Sequence, residues 1–378
     1  MQSLETLTPI VDAEAEAAER AGRMTPALVA AFIERGLFKL WVPRTFGGAE
    51  LDLVPSLEVF EAVSRMDGAS GWAITIGTGG GLFAAVMQPS AAHEVFDPPE
   101  AVIAGSGQPS GTAEVVDGGY RAGGRWGFAS GAHYATWFTA NCLVRRDGEP
   151  VLDAEGAPLI RAMTFPASQA QLFDTWNVPG MRATGSVEFA VPETFVPAAR
   201  TFSVFTDTPH ETGPLYRYPF ISIAEVSFAA VALGIARHAI DLFPAMAATK
   251  PVRGSGDTLM QHAESAIRLA EAEALVRSAR LFFYAEAAAS WAETLAGRPL
   301  SERGAAMVKL ACTHAAVSAT RAVDLLYEVS GSAPLLLESA FGRTWRDIHT
   351  VRQHMALSPL GYGDAGAFLA ADGAGASA

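Results

Sequence analysis

"GGYRAGGRWGFASGAHYATWF", residues 118–138, is the stretch whose reading decides the fold. Through it and its flanks, 113–144, side-chain character alternates with a period of two, the pattern of a half-buried strand. Glycine pairs at 118–119 and 123–124 interrupt the alternation and predict two hairpin turns. Strand text returns in "SVEFAVPETFVP", residues 186–197. Residues 101–210 therefore predict a small, all-β domain.

On both sides the period is helical. In residues 1–100, "TPALVAAFIERGLFKL" (25–40) pairs Thr25 as N-cap with Pro26 at the first helical position and stops at Gly36. "SLEVFEAVSRMDGASGWAITIG" (56–77) repeats the three-to-four spacing. Residues 211–370 are rich in alanine and carry helical text at 229–243, 263–291, 302–331 and 345–357. Small residues on long helices predict a tightly packed four-helix bundle. The fold class is mainly α with a central β domain, and residues 371–378, "ADGAGASA", predict a disordered tail.

Composition narrows the function. The chain has 378 residues, 50% of them hydrophobic, and a net charge of −13 with no Lys/Arg run. Nucleic acid and anionic membrane are poor partners for such a surface. "PFISIAEVSFAAVALGIA" (219–236) approaches spanning length, but it contains Glu225 and ends on Arg237 and His238, so it predicts a buried bundle helix. Two unpaired cysteines, Cys142 and Cys312, and an acidic N-terminus without a signal-peptide pattern predict a cytoplasmic protein. "GSGQPSG" (105–111) and "GTGGG" (77–81) lack the strand–glycine–helix context of a dinucleotide or phosphate loop; they predict turns and close backbone approach.

Two clusters could carry chemistry. Trp126, Phe128, Tyr134, Trp137 and Phe138 surround Ser130 and His133. Such a cluster is either strand core or a surface on which the Ser130 hydroxyl bonds a planar heterocycle. "RTWRDIHTVRQHMAL" (343–357) holds His349 and His354. Read as one helix, it sets them about 140° apart, too far round to ligate one metal together. His238, His262 and His314 lie on helical text as structural residues.

The order of helical zone, β zone and four-helix zone resembles the acyl-CoA dehydrogenase fold along essentially the whole chain. "LFKLWVPRTFGG" (37–48), "SRMDGASGW" (64–72), "WNVPGMRATGSVEF" (176–189), "ALGIARHAIDLF" (232–243) and "WRDIHTVRQH" (345–354) resemble family segments in the right order. The resemblance implies an N-terminal helical domain, a small β-barrel domain and a C-terminal four-helix bundle. Within the family, "GGYRAGGRWGFASGAHYATW" is closer to the flavin-dependent monooxygenases, the oxygenase components of two-component systems, than to true dehydrogenases.

That branch implies reduced flavin (FADH2 or FMNH2) and O2 as cofactors, a separate flavin reductase delivering diffusible flavin, a homotetramer, and a small aromatic or natural-product substrate. It gives Ser130 a bond to the flavin near N5, with Trp126 and Phe128 lining the isoalloxazine. It sets His354 where dehydrogenases carry their glutamate base, to bond the reacting oxygen or take a substrate proton. Arg343 and Arg346 could reach flavin phosphates or a carboxylate across a subunit contact, or form surface ion pairs. Trp72 and His133 are the substrate-side residues. The chain departs from dehydrogenases in lacking the phenylalanine of their "FG.P" segment at 248–262, and from several oxygenases in lacking a histidine near "DGASGW". The alternative is an acyl-CoA dehydrogenase whose base is Glu225 or Glu328.

Overall fold

The computed structural model describes residues 4–252 and 254–375. The N-terminal layer comprises α1 (Thr8–Ala21), α2 (Pro26–Glu34), α3 (Leu53–Met66), α4 (Gly68–Gly80) and α5 (Pro89–Phe96). Local chemistry sets these boundaries. The Thr25 hydroxyl accepts from the Leu28 amide at 3.3 Å, satisfying a free N–H of the first turn of α2. Asp67 ends α3 and caps α4, accepting from the Ser70 amide at 2.9 Å. The GTGGG stretch is no turn: Gly77–Gly80 complete α4. Its missing side chains let α4 pack closely, since a Cβ at Gly77 would lie 2.4 Å from the Phe38 ring.

The β layer is built from β1 (Ile103–Val116), β2 (Gly119–Ala129), β3 (Trp137–Arg146), β4 (Glu149–Pro150), β5 (Ile160–Pro166), β6 (Gln171–Phe173), β7 (Val187–Pro197) and β8 (Thr201–Phe202). They form one eight-stranded mixed sheet in the order β6-β7-β2-β1-β3-β5-β8, with β4 on β3 and β1 parallel to β3. Gly118, at φ +73°, makes the β1–β2 hairpin. The second expected hairpin is absent. Gly123 and Gly124 lie inside β2, where the register against β7 shifts. Gly124 passes so close to β1 that a Cβ would lie 2.7 Å from the Gly111 Cα.

The C-terminal part contains α6 (Phe220–Thr249), α7 (Ala263–Leu295), α8 (Glu302–Glu328), α9 (Ala340–Val351) and α10 (Gly361–Gly375). α6 is the central helix. It is long and apolar enough to cross a membrane, yet 78% of its most apolar window is buried against protein. The last bundle helix is shorter than its sequence suggests. α9 stops at Val351, and His354 begins a separate 3-10 turn, Met355–Leu357. Residues 371–375, expected in a disordered tail, belong to α10; residues 376–378 lie outside the described residues.

Candidate active site

Three side chains from distant parts of the chain meet where α4, the end of β2 and the turn after α9 converge. The Trp72 indole Nε1 donates to the Ser130 hydroxyl at 3.0 Å. The Trp72 ring stacks on Phe228 of α6, with centroids 4.7 Å apart and planes 28° apart. The His354 ring meets Phe228 edge-on at 4.6 Å and faces Trp72 at 5.8 Å. Ser130 and Trp72 are buried, while His354 is partly accessible. Burial pulls the His354 imidazole below its usual range, so it is neutral at pH 7. Its Nδ1 accepts from the Ala356 amide at 3.2 Å. A neutral ring with an acceptor Nδ1 carries its proton on Nε2. The imidazole therefore offers an N–H donor.

Behind Ser130 lie hydroxyls that the sequence reading did not single out. Ser130 contacts Ser186 at 2.7 Å, Ser186 contacts Thr184 at 2.7 Å, and Thr184 donates to the Met181 carbonyl at 2.8 Å. No strand pattern marks them in "MRATGSVEF": Thr184 closes the 3-10 turn Arg182–Thr184 and Gly185 is left-handed at φ +53°, so alternation begins only with β7. Two residues beside the site hold left-handed backbone, Phe128 at φ +62° and Met181 at φ +55°. Non-glycine residues keep such conformations only where the surroundings fix them, at a cost of about 1–3 kcal/mol each. Phe128 sits in a register break between Trp126 and Ala129 that turns its ring outward, 65% exposed and edge-on to Trp176.

Other expected site residues lie elsewhere. The Trp126 ring does not line an open face: it is 1% exposed, stacks on Phe189 at 5.2 Å and donates to the Asn141 carbonyl at 2.9 Å. It points into the β core because β2 alternates, leaving only its backbone for the other face. His133 is exposed on the turn after Ser130, against Gly185, and takes no part in the Trp72–His354 cluster. Arg343 and Arg346 face inward within one chain. Arg343 pairs with Asp67 at 3.5 Å and Arg346 with Glu19 at 3.1 Å. Both pairs are largely buried rather than on the surface, and they tie α9 to the N-terminal layer. His349 bonds Asp324 at 2.8 Å and packs on Trp345 at 4.5 Å, away from Trp72.

Residues 5–91 match the family model described as acyl-CoA dehydrogenase, N-terminal domain, and residues 226–359 the one described as acyl-CoA dehydrogenase, C-terminal domain. An indole-3-acetate monooxygenase from Pseudomonas putida is 31% identical over 351 residues, spanning 93% of this chain and 88% of the relative. The chain belongs to the acyl-CoA dehydrogenase family, on its flavin-dependent monooxygenase branch. Two solved structures agree. XiaF from a Streptomyces species, in complex with FADH2 and glycerol, superposes with a TM-score of 0.86 at 26% identity, over 96% of this chain and 92% of that one. The 3-HSA hydroxylase from Rhodococcus sp. RHA1 gives 0.85 at 26% identity, over 97% and 96%.

The monooxygenase reading prevails over the dehydrogenase one, and the carboxylates agree with it. Glu225 is locked to Lys309 at 2.8 Å in the bundle. Glu328 is paired with Arg321 at 2.9 Å on the outside of α8. Neither joins the Trp72–Ser130–His354 cluster, so the cluster offers hydroxyl and imidazole groups in place of a carboxylate base.

Proposed function

We propose that this chain is the oxygenase component of a two-component monooxygenase, using reduced flavin and O2 to oxidise a small, largely apolar aromatic or natural-product substrate. The observation that carries it is the convergence of Trp72, Ser130 and His354 in a chain 31% identical to a monooxygenase. The residues present fit a flavin. Ser130 offers a hydroxyl at the end of β2, and Phe128 is held outward beside it as an apolar platform.

Reduced flavin, when bound, supplies the electrons that let O2 transfer one oxygen atom to substrate. The protein supplies the surroundings. The Trp72 and Phe228 rings exclude water and give an apolar wall. Ser130 bonds the cofactor near N5. His354, neutral and protonated on Nε2, donates a hydrogen bond toward the oxygen being transferred. Of the two roles open to it, donor or base, its Ala356 contact favours the donor.

A separate reductase supplies the reduced flavin, and in this reading the flavin reaches the oxygenase by diffusion. A homotetramer is supported by apolar residues standing in the open around the bundle, among them Leu335, Leu336, Leu337 and Leu360, each at least 66% exposed. A monomer by light scattering at micromolar concentration would contradict it. Cytoplasmic residence accords with Cys142 and Cys312, both buried and unpaired.

The test is product formation. The protein is mixed anaerobically with chemically reduced FAD or FMN and a panel of indoles and phenols, then exposed to isotopically labelled dioxygen. One labelled oxygen in the product, dependent on reduced flavin, is the expected result. Reduction of bound oxidised flavin by an acyl-CoA thioester, with no label transferred, would overturn it.

A further inference from the structure

Trp72, Ser130, Ser186, Thr184 and the Met181 carbonyl form one hydrogen-bonded chain, with successive separations of 3.0, 2.7, 2.7 and 2.8 Å. Its two ends have opposite and unalterable character: an indole N–H only donates and a carbonyl only accepts. Each hydroxyl between them has a single hydrogen. Because Met181 O can only accept, Thr184 directs its hydrogen there. The Ser186–Thr184 contact is then made by the hydrogen of Ser186, and the Ser130–Ser186 contact by the hydrogen of Ser130. One arrangement alone satisfies all four contacts.

The surroundings hold it. Thr184 is 2% exposed and Ser186 6%, so water does not compete for them. The Met181 peptide is fixed from both sides. Its N–H donates to Asp347, and its carbonyl also accepts the Trp176 Nε1 hydrogen at 3.0 Å. Ser130 is left with one hydrogen engaged, one lone pair engaged by Trp72, one lone pair free, and 8% of its surface accessible.

We propose that Ser186 and Thr184 are positioning residues that hold Ser130 as an acceptor toward the flavin, and so select the reduced cofactor over the oxidised one. The inference rests on the flavin reading above. The reduced isoalloxazine carries a hydrogen on N5 and donates; the oxidised ring presents a lone pair at N5 and accepts. The free lone pair of Ser130 suits the first and opposes the second. To donate to oxidised flavin, Ser130 must withdraw its hydrogen from Ser186 and leave a buried contact unmade, which is costly.

The test is an anaerobic titration of the full-length protein with FAD and FMN in both redox states, read by equilibrium dialysis, so that no turnover is needed. The wild type is expected to bind reduced flavin about tenfold or more tightly than oxidised, the worth of one well-made hydrogen bond. Ser186→Ala releases the Ser130 hydrogen. Its expected result is an increase of about tenfold in affinity for oxidised flavin, with reduced-flavin affinity changed by less than about threefold. Thr184→Val frees the chain from its far end and is expected to move the ratio in the same direction. A gain of affinity cannot come from misfolding. If both variants weaken the two redox states alike, or leave their ratio unchanged, the hydroxyl chain does not set the preference and the proposal fails. A wild type that binds both states equally also overturns it while leaving the flavin reading intact. A wild type that binds neither state removes the flavin reading, and this inference with it.

Discussion

Met181 and Asp347, 166 residues apart, are joined by one hydrogen bond: the backbone N–H of the first donates to the carboxylate of the second. Met181 precedes β7 and Asp347 lies on α9, so the bond joins the β layer to the helix that leads to His354. It also holds the left-handed peptide whose carbonyl ends the hydroxyl chain behind Ser130.

Asp347 is buried, and burial, with Asp67 and Glu19 nearby, pushes its carboxyl up to about 8. A carboxyl whose folded value is raised binds its proton more tightly in the native state. Its effect on stability is therefore most favourable at low pH and is lost as pH rises from the ordinary carboxylate range to about 8. Asp347→Asn keeps an acceptor for Met181 and cannot ionise. It should flatten the fall in melting temperature across that window. Asp347→Ala should destabilise by about 1–3 kcal/mol through the orphaned amide. Thermal denaturation across pH reads both, and an Asn variant with the wild-type slope would remove Asp347 as the cause.

His354→Ala should lower product formation by roughly 30- to 1,000-fold, equivalent to about 2–4 kcal/mol of barrier, with folding and reduced-flavin affinity little changed. In the proposed donor role the neutral ring is the working form, so wild-type activity should fall as pH drops through a value below the usual imidazole range, where protonating Nδ1 breaks its Ala356 contact. A rate that instead rises on acidification would point to imidazolium as the active form. Circular dichroism, flavin titration and a pH–rate profile together read this prediction.

His349→Ala should behave differently. Its hydrogen bond goes to Asp324 and its ring packs on Trp345, so the expected loss is stability, about 1 kcal/mol, with activity within a few-fold of wild type. Loss of activity in this variant alongside a normal His354→Ala would reverse the site assignment.

Trp126→Ala should fail as a core deletion. The ring fills the space between β1 and β2 left by Gly111 and Gly124, so truncation is expected to cost about 3–5 kcal/mol. Trp126→Phe keeps most of that volume and should restore much of the stability with unchanged flavin affinity. A well-folded Phe variant with lost flavin binding would return Trp126 to the cofactor.

Much of the architecture was legible because periods of two and 3.6 residues are long-range signals. The run from Gly118 to Phe138 and the alanine-rich helices both show them clearly. Ser130 and His354 were visible as residue types suited to a flavin and Trp72 as one suited to its substrate, but their meeting was not, since nothing local in the chain encodes contacts across 58 or more residues. Two misreadings have local causes. Gly123–Gly124 looks like a turn but serves a close strand crossing, because glycine answers to either need. The helical text of α9 runs on smoothly past Val351, and no glycine or proline marks the stop before His354. The pairing of Arg343 and Arg346 was not legible at all, because their partners, Asp67 and Glu19, lie far off in the N-terminal layer.

The Glu19–Arg346 pair spans 327 residues, from the first helix to the ninth. A ribosome making this chain releases Trp72 and Ser130 long before the segment carrying His354 exists. The N-terminal layer closes chiefly on α6, and α9 arrives later to pack against α6 and to join the turn at Met181. Contacts of such separation are slow to form. The meeting of Trp72, Ser130 and His354 is thus among the last features completed in the life of a new molecule, and a chain cut short before α9 would lack the imidazole altogether.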